Sequence, residues 1–474
     1  MARHDYSFRP EPEFQEGVFV PSAPVPIDVD NENWGFRDNV DLMKALVRNP
    51  IETTGKLSRE QGCVQGKLFG QEFFNIADPE LIQFIFVKNH KNLKMNRVRQ
   101  RILVPLIRSG LIAAEGDDWK RMRHLLTPMF TPRHIRTFSE GMRLTIEREF
   151  PRSIKDGEEI KLTRTMLDLT YHVLSDALFS GEIDDDKDGQ VKDFETVLLN
   201  MGKPDPFDIL NFPGFLPRLT KVKGKRALAR IWSRVGEALK TRQAQQEKDE
   251  DLPTDFLTLL LNAGDDEHAP LSHEEIQDQA VTFIGAGHET TSHGLTWMIY
   301  LLSQDEGARK KVEAEVDALN IDTVPIDKWA DHLPWTIACF EEAMRLYPPA
   351  PFISRELTQD LAFKDRNFVE GDNVLLNLWA LHRHYELWDN PDGFVPDRFF
   401  GENRRKIHKF QYIPFGTGPR VCIGQRFALQ EAVIMATLLL RKHQFEYSGD
   451  KPPWPRMRIT LQAENAMPMR VSPR

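Results

Sequence analysis

Three cysteines in 474 residues, Cys63, Cys339 and Cys422, are too few and too scattered for a disulfide framework or a zinc cluster, and none belongs to a CxxC pair. Their scarcity points to a reducing compartment, so a cytoplasmic location is expected. Long apolar runs are missing as well. No stretch of about 18 uncharged apolar residues occurs; the longest apolar candidate, Ile276 to Leu302, contains Asp278 and Glu289. An integral membrane span is therefore not expected. The polar start, Met1-Ala2-Arg3-His4-Asp5-Tyr6, has no apolar signal core. A basic excess is also absent: 62 Lys and Arg stand against 71 Asp and Glu, net −9, which argues against a general nucleic-acid binder. No Pro/Gly/Ser-rich linker interrupts the chain after about residue 35, and no internal repeat is visible. One globular unit, 34–474, is expected, preceded by an extended arm at 1–33 rich in Pro, Glu and Asp.

A hydrophobic content of 41% is ample for a large core. Residues 63–76 carry strand signals with turn glycines. From about Pro79 to about residue 345 helical periodicity dominates. Apolar–polar alternation over 350–375, with Gly371-Asp372 as a turn, predicts short strands. Residues 385–421 are rich in proline and aromatics and lack periodicity, and so long an irregular stretch usually means function. Met457 to Val471 reads as a small hairpin. The sum is a mainly α chain, a large helical body with a small β-rich region from its N- and C-terminal parts.

The most informative string is Phe415-Gly416-Thr417-Gly418-Pro419-Arg420-Val421-Cys422-Ile423-Gly424. Its glycines let the backbone approach something large and flat. A proline-free segment, Gln425 to Leu440, follows and predicts a helix. A helix beginning at Cys422 would aim its free N–H groups at the sulfur and favour thiolate over thiol. A thiolate there suits an axial ligand of haem iron.

A second string sits inside a long predicted helix. Ser272-His273-Glu274-Glu275 is a capping box, and helical spacing then runs to Leu302, about 30 residues or about 45 Å. Its centre, Gly285-Ala286-Gly287-His288-Glu289-Thr290-Thr291, places two glycines, an acid and two threonines where each glycine costs about 1 kcal/mol relative to alanine. Phe283, Gly287, Thr290 and Gly294 share one face. That face is small enough to receive a flat ligand; it would equally suit tight helix–helix packing. His288-Glu289 resembles the start of HExxH, but the next histidine is His293, five positions on, and the imidazoles would diverge.

Two weaker spacings accompany these. Glu342 and Arg345 share a helical face ahead of Pro396-Asp397-Arg398-Phe399. Trp119 and Arg123 likewise align at a spacing of four.

The pattern Phe-x-x-Gly-x-Arg-x-Cys-x-Gly resembles the haem-binding loop of the cytochrome P450 monooxygenases. Ala286-Gly287-His288-Glu289-Thr290-Thr291 resembles their oxygen-activation string. Glu342-x-x-Arg345, the PxRF-like segment at Arg398 and Trp119-x-x-x-Arg123 follow in the family's arrangement, from about Trp119 to the C-terminus. The resemblance implies the cytochrome P450 fold and heme b held by Cys422. It also implies a Glu342–Arg345–Arg398 network supporting the loop, and propionate contacts from Trp119, Arg123, Arg420 and, by position, Arg355. Phe415, Gly416, Gly424, Ala286 and Gly287 would line the cofactor. Glu289 would relay protons and Thr290 would hold dioxygen and its water. Phe283, Ile284, Phe352 and Ile353 would line the substrate side. The implied activity is hydroxylation or epoxidation of a lipophilic small molecule with O2. No fused reductase is expected. Electrons would come from NAD(P)H through a separate ferredoxin or flavoprotein, docking near Lys120, Arg121, Arg405 and Lys409, and the chain would act as a monomer. A peroxygenase or isomerase, and a non-catalytic haem carrier or sensor, are the alternatives.

Overall fold

A computed structural model describes residues 8–27, 35–153, 157–183, 187–202, 206–210, 212 and 221–474. Helices dominate, as the periodicity requires, and one organises the rest. The helix His273–Gln304 spans 32 residues, about 48 Å at 1.5 Å per residue. It starts at the predicted capping box, with the Ser272 side chain accepting from the Glu275 N–H and Glu275 accepting from the Ser272 N–H. Asp305 closes it and caps the next helix, Glu306–Ala318, through a bond from the Ala308 N–H at 2.8 Å. A helix apolar on nearly all sides must be surrounded, and this one is. The Thr170 hydroxyl of helix Leu162–Phe179 donates to the His288 carbonyl at 2.9 Å. The Gln277 side chain donates to Trp232 of helix Val222–Glu247. Phe340, on helix Pro334–Leu346, fills the space beside Gly294.

The strands gather at the periphery. A five-stranded sheet runs in the order Cys63–Leu68, Gln71–Ile76, Asn373–Asn377, Phe352–Leu357, Leu93–Met95. Its pairs are antiparallel except Asn373–Asn377 on Gln71–Ile76, which is parallel with Asn373 opposite Phe73. The predicted hairpin at 457–471 is not one unit. Pro455–Met457 pairs with Leu461–Ala463, whereas Pro468–Pro473 leaves to pair with His443–Tyr447 and Glu159–Lys161. Pairing across 300 residues leaves no local signal, so short alternation was misread as a local turn. Part of the expected arm is also folded back: Glu13–Gln15 and Val18–Val20 form a hairpin, and Phe19 is buried edge-on to Tyr300 of the long helix. The rest of that arm, residues 1–7 and 28–33, lies outside the described residues. No helix among the described residues is long and apolar enough to cross a membrane.

Candidate active site

Between Asp278 and Leu302 every residue of the long helix is buried except Gly285, Ala286, Gly287 and Thr290. An interior helix with one patch uncovered faces an opening there. Half-exposed Phe352, Ile353 and Ser354, on a strand paired on both sides, and the exposed Cys422, deep within the fold, are uncovered in the same manner.

The cysteine loop is folded by main-chain constraints. The Cys422 N–H donates to the Phe415 carbonyl at 2.9 Å, closing the loop on itself. Gly416 and Gly418 have φ of +75° and +71°, the left-handed region that favours glycine. A side chain at Gly418 would also strike the Phe86 carbonyl oxygen, 2.3 Å away. At Gly416 the nearest neighbour would be Ile353 Cδ1 at 3.3 Å. The helix behind the loop is Gln425–Lys442, so it begins three residues after the sulfur. This corrects the expectation of a helix starting at Cys422. Burial pushes the thiol up; the Gly424 N–H and the Arg123 guanidinium pull it down, and burial wins. A metal coordinated there would deprotonate the thiol outright.

Around the loop the structure brings together Trp119, Arg123, Arg355 and Arg420 and adds Arg99. The Arg420 guanidinium lies 4.5 Å over the Trp119 ring and donates to Glu115 at 2.7 Å and to the Ala114 carbonyl at 2.9 Å. Arg123 donates to the Val421 carbonyl at 3.0 Å. Arg355 is buried. Burial first, then repulsion from Arg99 and Arg420, pushes it down to about 9, with Glu115 opposing. Arg99 is lowered by burial and by Arg420, again against Glu115. Three arginines thus share one carboxylate, and like charges gathered this way are stable only beside further anions. Two carboxylates projecting from a flat cofactor satisfy that demand, so the donor set and the charge both fit haem. Arg99 escaped sequence reading because Asn96-Arg97-Val98-Arg99 carries no spacing signal of its own.

The supporting network is assembled. Arg345 Nε donates to Glu342 Oε2 at 2.6 Å and Nη2 to Oε1 at 2.8 Å, both side chains fully buried. Arg345 also donates to the carbonyls of His382, Pro391 and Gly393 at 2.7–2.8 Å. The Val395 N–H donates to Glu342 at 2.8 Å, and Arg398 approaches it at 3.4 Å. Connection to the cysteine loop runs through His382, whose Nε2 accepts from the Ile413 N–H; Ile413 in turn accepts from Gly416. His382 had no sequence signal, since its role depends on a fold that brings positions 382 and 413 together.

Three expectations change. The Cβ direction of Gly287 meets Leu174 Cδ2 at 2.6 Å and that of Gly294 meets Phe340; Gly294 is buried there and serves helix packing, whereas Gly287 packs on Leu174 and stays partly uncovered at the opening. Phe283 is buried among Phe130 and Phe256, with ring centroids 5.3 and 6.0 Å away, and Ile284 is 1% exposed; both are packed into the core and neither is uncovered at the opening. Arg121 is held by Glu275 at 2.6 Å and by the Ala269 and Pro270 carbonyls, which removes it from the docking surface. His288 Nδ1 donates to the Ile284 carbonyl at 2.6 Å, with its ring between Tyr171 and Phe194. Gly285, Ala286, Gly287 and Thr290 remain at the opening, where the Thr290 hydroxyl donates to the Ala286 carbonyl at 3.0 Å. Glu289 is buried, 3.6 Å from His293 Nε2.

The cytochrome P450 family model matches residues 47–468. The chain is a cytochrome P450. Among its relatives, cyclooctatin synthase of Streptomyces melanosporofaciens is 29% identical over 433 residues, covering 90% of this chain and 92% of that protein. Human cytochrome P450 4Z1 is 27% identical over 415 residues, covering 83% and 81%. The solved cytochrome P450DA heme domain superposes with a TM-score of 0.76 at 26% identity, covering 96% of this P450 and 98% of that structure. Cyanobacterial CYP120A1, solved with retinoic acid bound, gives the same TM-score at 23% identity over 88% and 93%, a likeness of fold. This P450 is accordingly a haem-dependent monooxygenase with a mainly α fold.

Proposed function

We propose that this P450 inserts one oxygen atom of O2 into a lipophilic small molecule, by hydroxylation or epoxidation, with electrons passed from NAD(P)H by a separate ferredoxin or flavoprotein. The observation that carries the reading is the uncovered patch at Gly285–Gly287 and Thr290 in a helix otherwise buried from Asp278 to Leu302. Bound haem supplies the electron acceptance and dioxygen activation. Cys422 holds the iron; Arg99, Arg355, Arg420 and Arg123 hold the propionates, with Trp119 beneath Arg420. Ala286, Phe352 and Ile353 give the opening apolar walls, which exclude water and favour an apolar substrate. The Thr290 hydroxyl spends its own proton on the Ala286 carbonyl. Its lone pairs are left to accept a hydrogen bond from a water in the opening, a position suited to passing protons inward. Glu289, the residue before Thr290, is buried 3.6 Å from His293 Nε2, and in this reading it relays protons to that water. A reducing, cytoplasmic setting agrees with three unpaired cysteines.

The test is the carbon-monoxide difference spectrum of the reduced protein. The parent should show the strongly red-shifted Soret band of thiolate ligation, and Cys422→Ala should lose it. Retention of that band in the variant would overturn the ligand assignment.

A further inference from the structure

His124 stands in the last turn of the helix Gly116–Leu126, the helix that also carries Trp119 and Arg123. Asp265 and His268 belong to the turn ahead of the long helix. One ring nitrogen from each histidine and one carboxylate oxygen all lie within 4.8 Å of one another. Nε2 of His124 is 2.8 Å from Asp265 Oδ2, and Nδ1 of His268 is 3.1 Å from Asp265 Oδ1. The two rings lie 4.8 Å apart, inclined by 33°. The carboxylate is fixed from behind by the N–H groups of Glu267 and His268, at 2.9 and 2.7 Å.

The two elements are clasped independently of this trio. Arg121, three positions before His124, bridges to Glu275 and to the Ala269 and Pro270 carbonyls. The three side chains are therefore presented on a braced frame, which lowers the ordering cost of ligation. They are also within reach of solvent, their side chains 58%, 37% and 29% exposed for His124, Asp265 and His268. Asp266 and Glu267 add negative charge to the same turn.

We propose that His124, Asp265 and His268 bind a divalent transition-metal ion, zinc foremost, at a site separate from Cys422. Two imidazoles and one carboxylate are a borderline nitrogen–oxygen donor set, poorly suited to Mg2+ or Ca2+, which take mostly oxygen. Ligand atoms around zinc sit roughly 3–3.5 Å from one another. The observed spread closes to that by small side-chain rotations, with water completing the tetrahedron. The ion would replace a proton-mediated contact with coordinate bonds and lock the helix bearing Trp119 and Arg123 to the start of the long helix.

The experiment uses tag-free holoenzyme, stripped with chelator and titrated with zinc chloride by calorimetry, with a thermal melt alongside. One zinc per chain and an upward melting shift are expected, with no such shift from equal magnesium. His124→Asn and His268→Asn should each weaken zinc binding at least tenfold (roughly one coordinate bond lost) while the reduced carbon-monoxide spectrum stays that of the parent, which reports an intact fold. Failure of the parent to bind zinc below millimolar concentration overturns the proposal without any variant. So does a His124→Asn/His268→Asn double variant that binds one zinc with parental affinity.

Discussion

The Ile413 N–H donates to Nε2 of His382 across 3.2 Å, and the carbonyl of the same histidine accepts from Arg345 at 2.7 Å. His382 is thereby the joint between the buried Glu342–Arg345 pair and the strip of chain leading to Cys422. Burial, reinforced by Arg345 and Arg383, holds its imidazolium form well below the ordinary range, so Nε2 stays an acceptor. Glu342→Ala leaves Arg345 charged and unpaired in the interior and should cost about 3–5 kcal/mol, giving haem-poor protein. Arg398→Ala removes only a 3.4 Å contact to Glu342 and a bond to the Asn390 carbonyl, and should lose less. Haem content per chain and the rate of thermal inactivation read both; equal losses would show that Arg398 supports the network as strongly as Glu342 does.

Thr290→Ala removes the acceptor at the opening but no packing of note. Oxygen consumption should continue while product per NAD(P)H falls severalfold and hydrogen peroxide rises in step. Unaltered coupling, measured by peroxide and product yields, would exclude Thr290 from proton handling.

The arginine cluster makes an opposite-sign prediction for two states of one protein. Arg99→Gln relieves repulsion at Arg355 and Arg420, so the haem-free form should melt higher than the parent's. The same change should quicken haem loss to an acceptor such as apomyoglobin by about ten- to a hundredfold, one charge-assisted pair being worth about 1.5–3 kcal/mol. Matching changes of both quantities in one direction would mean that the cluster does not hold an anionic cofactor.

Legibility in the sequence followed the range of the interactions. The capping box at Ser272, the length of the long helix and the Phe415–Gly424 loop were readable because neighbouring residues dictate them. Glu342 and Arg345 were readable as a pair but not as the clamp on three distant carbonyls. Arg99 and His382 were invisible, because their partners lie far away in the chain and only folding supplies them. Gly287 was readable as an anomaly, but whether a ligand or Leu174 faced it depended on a helix more than a hundred residues earlier. The thiol of Cys422 was misjudged for a local reason: two loop residues, Ile423 and Gly424, separate the sulfur from the helix that was expected to polarise it.

Glu431 offers a pH test. It is 1% exposed on the helix behind the cysteine loop, and burial pushes its carboxyl up to about 8, against a hydrogen bond from Thr291. The unfolded chain releases that proton near pH 4.3. Between those values the native state binds more protons, so stability is full below about pH 4.3 and declines as pH rises toward 8, by on the order of 4–5 kcal/mol. Glu431→Gln should melt like the parent at the acid end and higher above pH 8. Parallel melting curves across that range would mean that Glu431 is ionised in the fold.

Gly418 has one more consequence. Its α-carbon rests under the main-chain oxygen of Phe86, with no room for a single added carbon. The height of the sulfur-bearing segment is therefore gauged by one backbone stopping against another, in the way a machine bed is set by a hard stop and not by a spring. Substitutions among the buried side chains nearby can soften or stiffen its surroundings, yet the seat of Cys422 shifts only if the helical turn Gln83–Lys88 shifts with it.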